Sequence, residues 1–135
     1  MKNNNAFTLV ELLAVITILG ILALLIVPNV SNYIFDTKMQ TYASHETTME
    51  KAAESLTIET LNGKTDFALP LVDKSTKVLL EELEEMEFIK ELVDPGGSAC
   101  DKKKSFVTIK NNNGTYEYSV CLHCGKYVTD RSDCS

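Results

Sequence analysis

The chain has 135 residues, a formal net charge of −6 and 44% hydrophobic residues. That length allows one modest domain. The acidic balance argues against general phosphate-backbone binding, which needs clustered Lys and Arg, so no direct nucleic-acid binding is expected.

Residues 1–6, MKNNNA, read as a short polar leader whose only charge is Lys2. Residues 7–28 are almost wholly apolar. A helix from Phe7 to Val27 would be about 31 Å long, enough to cross a bilayer. An ordinary secretory signal peptide fits less well, because the apolar run is too long and no A-x-A-like site ends it. Lys2 favours a single-pass orientation with the N-terminus inside. Glu11 is the anomaly, since an ionised carboxylate in hydrocarbon costs several kcal/mol unless it finds a partner or reaches the interface. Two readings follow: Glu11, only four residues into the segment, snorkels to the interface, or it finds a cation in another subunit. Gly20 and Pro28 interrupt the helix, and Pro28 predicts a kink near residues 24–28.

The run Ala6-Phe7-Thr8-Leu9-Val10-Glu11-Leu12-Leu13 resembles the processing motif of type IV pilins and of the pseudopilins of type II secretion and competence systems. The resemblance implies cleavage between Ala6 and Phe7 by a prepilin peptidase and N-methylation of Phe7. It also implies recognition of that Phe7 ammonium by Glu11 of a neighbouring subunit during assembly. Where the family usually has Gly before the cut, this chain has Ala6, another small residue. Other partners implied are the assembly machinery, with its inner platform and ATPase, and copies of the chain itself in a helical filament.

From residue 29 to 61 the pattern becomes amphipathic. Phe35, Met39, Tyr42, Met49, Ala53 and Leu56 recur at helical spacing. Asp36, Lys38, Glu50, Lys51 and Glu54 occupy the other side, and Asn62-Gly63 signals a stop. Residues 62–135 read as a globular head. Within it, about 75–87 is expected to be an acidic helix with Ser75 as N-cap and Val78, Leu79, Leu83 and Met86 on one face. Its glutamates are read as a solvated face, because no Asp/Asn/Gly loop accompanies them to bind calcium. Asp94-Pro95-Gly96-Gly97 marks a turn. About 105–129 is expected to form a small antiparallel sheet. Its strands would run over 105–110 and 115–122 around the turn Asn111-Asn112-Asn113-Gly114, with a third strand through 126–129.

The four cysteines are Cys100, Cys121, Cys124 and Cys134. Three readings compete: a zinc site, a redox C-x-x-C, and structural disulfides. Zinc lacks a second C-x-x-C pair, and no thioredoxin-like pattern surrounds Cys121-Leu122-His123-Cys124. An extracytoplasmic location favours disulfides. If Asn113-Gly114 is a two-residue hairpin loop, paired positions place Cys124 close to Cys100 and leave Cys121 far from it. The favoured pairs are Cys100–Cys124 and Cys121–Cys134.

The expected fold is α+β: a long N-terminal helix packed on a small antiparallel sheet, as the pilin resemblance also implies. The expected function is structural and non-enzymatic, with no cofactor and no metal. The chain would be held in the cytoplasmic membrane and then polymerise into a cell-surface filament. Two rivals stand beside a pilus subunit: a pseudopilin of secretion or competence, and a single-pass anchored domain that never polymerises and binds metal through its cysteines.

Overall fold

The computed structural model describes residues 6–134. The leader, apart from Ala6, lies outside them. The elements in chain order are helix α1 (Leu9–Leu61), strand β1 (Ser75–Leu79), helix α2 (Leu80–Glu85), and strands β2 (Phe106–Asn112), β3 (Thr115–Cys121), β4 (His123–Cys124) and β5 (Tyr127–Val128). The chain divides into two compact units, Met1–Lys38 and Met39–Ser135.

In the first unit, α1 carries a stretch, Leu9–Ile26, with mean hydropathy 2.9, long and apolar enough to cross a membrane. Its large side chains are uncovered: Leu24 is 77% exposed and Leu19 59%. From Leu12 to Ile26 it has no charge and no Pro, and it is rich in Leu and Ala, which favours an uninterrupted helix. The helix assignment continues across Gly20 and Pro28. The kink expected at residues 24–28 depends on Pro28, whose side chain lies outside the described residues.

The second unit is built on the outer part of α1. Met49, Ala52, Ala53 and Leu56 are buried there. They recur at helical spacing and meet Val78, Leu80, Leu83, Val107, Ile109 and Leu122 in one cluster. Tyr42 packs partly against this cluster, whereas Phe35 (63% exposed) and Met39 (42%) do not enter it. Periodicity alone placed all six on one face, but only the part of that stripe facing the sheet is covered. The helix stops at Leu61 in a Schellman arrangement. Lys64 N–H donates to the Glu59 carbonyl (2.9 Å) and Gly63 N–H to that of Thr60 (3.0 Å), with Gly63 at φ 73°. That left-handed conformation suits glycine, which has no Cβ to clash.

The main sheet is antiparallel with order β1-β2-β3. Asn112 faces Thr115 and Phe106 faces Cys121, so Asn113-Gly114 forms the two-residue turn. Both turn residues have positive φ (54° and 92°), the requirement for this hairpin turn.

Two expectations are corrected. Ser75–Leu79 is a strand paired with β2, Ser75 opposite Lys110 and Leu79 opposite Phe106, so the acidic helix does not begin at Ser75. The segment Ser-Thr-Lys-Val-Leu is short and contains the β-branched Thr76 and Val78, and its two apolar residues are too few to fix a period. Pairing with β2 decides the outcome. The helix starts instead at Leu80, and Glu82 Oε2 accepts the Leu79 N–H (2.7 Å) as the stabilising cap. The third strand of the main sheet is therefore β1. The segment expected to supply it forms β5, which pairs only with β4.

A buried residue closes the far end of this unit. Asn111 is only 7% exposed. Its side chain donates to the Pro70 carbonyl (3.0 Å) and accepts from Gly114 N–H (2.8 Å). Its backbone donates to Lys74 O (3.0 Å) and accepts from Asp73 N–H (2.8 Å). The loop 62–74 is thus tied to the hairpin turn, with every polar group of Asn111 satisfied. Leu56→Ala, at a fully buried position, is expected to cost about 2–5 kcal/mol in urea unfolding of the detergent-solubilised chain. Ile58→Ala, at a position 51% exposed, should cost much less; equal losses would contradict the packing described.

Candidate assembly site and head clamp

At the N-terminal end, Ala6, Phe7 and Thr8 precede the helix and are exposed. Phe7 is 88% exposed. Thr8 N–H donates to Glu11 Oε2 (3.0 Å), and Glu11 N–H donates to Thr8 Oγ1 (3.3 Å). This reciprocal pair is a capping box, which satisfies two of the amides left free at a helix start. Glu11 is therefore not unpaired within its own chain, as the sequence had suggested. The T-x-x-E spacing of Thr8 and Glu11 was the available signal for this contact. Its second oxygen, Oε1, accepts nothing among the described residues. A carboxylate in the first turn also faces the positive end of the helix dipole. The box fixes where that carboxylate sits while leaving one oxygen open to a further donor. Further along, Thr17 Oγ1 donates back to Leu13 O (2.7 Å), so this hydroxyl is satisfied inside the apolar stretch. Gly20 has no neighbouring atom within 4 Å of where a Cβ would sit. The structure thus brings Thr8 and Glu11 together at one end, with exposed Phe7 just before them and Gly20 and Pro28 separate along the same helix.

The cysteines lie in the head. Cys100 is bonded to Cys124 and Cys121 to Cys134, with Cα–Cα distances of 4.2 and 5.4 Å. All four are buried. Cys121, His123 and Cys134 offer ligand-type atoms within 4.8 Å of one another. Both sulfurs, however, are in the disulfide, so neither is the thiolate that a metal requires. His123 instead donates from Nε2 to the Cys134 carbonyl (2.9 Å), and its own backbone N–H donates to Ser105 Oγ (2.9 Å).

Residues 93–94 and the C-terminal segment together grip α1 through polar contacts that periodicity did not reveal. Tyr42 OH donates to Asp94 Oδ1 (2.6 Å), and His45 donates from Nε2 to the Val93 carbonyl (2.8 Å). Tyr127 OH donates to Glu46 Oε1 (2.8 Å), and Thr129 Oγ1 donates to the same oxygen. The rings of Tyr42 and Tyr127 stack with centroids 4.3 Å apart and 6° between planes. Asp94 packs so closely on Gly125 that a Cβ there would lie 3.2 Å from Oδ1, and Gly125 also has φ 63°. The hydrogen bond to Asp94 raises the Tyr42 pKa. Desolvation, reinforced by the Glu46 hydrogen bond, pushes Tyr127 up to about 12. Desolvation likewise raises Tyr118.

Comparisons with known proteins match the N-terminal segment of the chain. Residues 1–27 match a family model described as the prokaryotic N-terminal methylation motif. Two curated proteins named "Fimbrial protein", both from Pseudomonas aeruginosa, are 37% identical to the chain over 59 residues. The match covers 44% of this chain and 38% of each relative, so the chain spans well under half their length. No solved structure matches the chain. What the chain shares with these proteins is the N-terminal methylation motif and a likeness to fimbrial proteins over 59 residues; its own build is α+β, a long apolar helix followed by a short helix and a small antiparallel sheet.

Two measurements check the head. Replacing Cys134 by Ser should cost about 2–4 kcal/mol and loosen residues 122–134, read as faster amide exchange there. Tyr127 holds its proton more tightly when folded than its ordinary value of 10 allows, so its contribution is intact below pH 10. It is lost as pH rises to about 12. The melting temperature should fall across that window, and less steeply in Tyr127→Phe, which loses about 1 kcal/mol at neutral pH with its hydrogen bond.

Proposed function

We propose that the chain is a structural subunit of a type IV pilus or pilus-like filament. The observation that carries this is Glu11, held on an uncovered apolar helix beside Phe7, within the segment that matches the methylation motif. Prepilin peptidase hydrolyses the Ala6–Phe7 bond, and the new Phe7 amine is methylated and stays cationic. Ala6 and Phe7 lie outside α1 and are exposed, which gives a peptidase an extended substrate.

Before assembly the apolar helix is stored in the cytoplasmic membrane, N-terminus inside, and the head faces outward, where its disulfides form. In the filament the same helix is buried among its copies. A staggered neighbour presents its Phe7 ammonium to the open oxygen of Glu11. Away from water, such a pair is expensive to break by deleting one partner, so it fixes register without supplying most of the binding energy. The inner platform and ATPase of the assembly machinery extract the subunit. The chain acts as scaffold rather than as enzyme, and the fimbrial relatives favour a surface fibre over a secretion or competence pseudopilin.

Intact mass and N-terminal sequencing of surface protein should give N-methylated Phe7 as the first residue; a retained Met1 would contradict the proposal. Glu11→Ala should remain in the membrane fraction while sheared filaments fall sharply, and filaments at the wild-type level would sink the pairing.

A further inference from the structure

The head is acidic overall, yet three of its lysines meet around one recess. Lys103 and Lys104 border a recess of about 400 Å³ whose other walls include Phe106 and His123. Asp101 Oδ1 accepts the backbone N–H of both lysines (3.0 Å each), which fixes the turn that presents them. Lys77 adds a third cation, its Nζ 4.2 Å from the centre of the Phe106 ring. Lys102 does not belong to this set, because it is drawn onto Glu84 (2.6 Å) and Glu91 (3.6 Å). Lys103 and Lys104 are exposed and have no ion-pair partner among the described residues.

The complementary feature is α2. Glu81 and Glu85 lie one turn apart on one face, and neither has an ion-pair partner among the described residues. Like charges at this spacing destabilise a helix unless a cation is supplied from elsewhere. Lys102, whose carbonyl accepts the Glu81 N–H (3.1 Å), is already committed to Glu84 and Glu91.

We propose that the recess bordered by Lys103 and Lys104 receives the Glu81/Glu85 ridge of a second copy of this chain. This rests on the filament reading above. Heads with a net negative charge repel on close approach, and salt screens that repulsion beyond about 8 Å, so the groups in direct contact decide the outcome. Opposed patches convert an unfavourable encounter into an oriented one, giving register and specificity more than raw affinity. A recess with a basic rim and a ridge of free carboxylates are the two halves such a contact needs.

The test uses two variants of the full chain in cells lacking the native copy: Lys103→Glu/Lys104→Glu, and Glu81→Lys/Glu85→Lys. Each alone puts like charges against like, so sheared filament yield should fall several-fold while membrane-stored protein stays at the wild-type level. Expressed together, the acidic recess of one variant meets the basic ridge of the other, and the intact patches also match. Yield should then return most of the way to wild type. Because only contacts between chains are repaired, the rescue also shows that both variants fold.

Wild-type yield from either variant alone overturns the inference and leaves the filament reading standing. So does a co-expressed yield no greater than the sum of the two separate ones. Unchanged filaments that no longer retain heparin would assign the recess to a foreign polyanion and overturn it likewise. If the wild-type chain makes no filaments at all, the filament reading itself fails.

Discussion

An apolar helix with no protein cover on it, and a carboxylate one turn in, is the constraint on which everything else depends. The stretch Leu9–Ile26 presents its large side chains on every side. Each Leu or Ile moved out of water contributes roughly 1.5–3 kcal/mol, so the segment must lie in lipid or among other helices. Neither environment favours a lone charge, and Glu11 restricts which arrangements are acceptable. The capping box with Thr8 meets part of that need within the chain and leaves one oxygen for a partner. On the proposed function, a helix stored in membrane and later packed against its copies would satisfy both demands in turn, and the charge would select register.

The head is held by a different balance. Its core is small, so covalent and polar ties matter more than in a larger domain. The two disulfides bind the segment from Cys121 to Cys134 to the sheet and to Cys100. That segment carries Tyr127 and Thr129, which with Asp94 form the hydrogen bonds to Tyr42 and Glu46 of α1. The bridges thereby keep the clamp residues at α1, where each hydrogen bond adds about 1 kcal/mol. The proposed function, a filament subunit with its head outside the cell, would require a head that keeps its shape in this way.

Much of this is readable in the sequence where a local rule and the tertiary outcome coincide. The apolar length, the position of Glu11, the Asn113-Gly114 turn and the α+β class all follow from period, charge and turn chemistry. Ser75–Leu79 (STKVL) has only Val78 and Leu79 as apolar residues, too few to separate a helical from a strand period, and only its pairing with β2 decides. Phe35 and Met39 share the helical stripe of Leu56 yet stay exposed, because periodicity gives a face without saying how far its cover extends. The clamp of Tyr42, Glu46, Asp94 and Tyr127 joins residues more than fifty positions apart, which no local pattern reports. Asn111 looked like one of three turn asparagines, but its burial depends on a loop that ends near residue 74.

The central claim is that Glu11 meets the cationic terminus of another copy. A cryo-electron microscopy map of sheared filaments, at a resolution that shows side chains, tests it most directly. The account predicts density beginning at Phe7, with its amine within hydrogen-bond distance of a neighbour's Glu11 carboxylate. A filament in which Glu11 faces no amine from another subunit would contradict it.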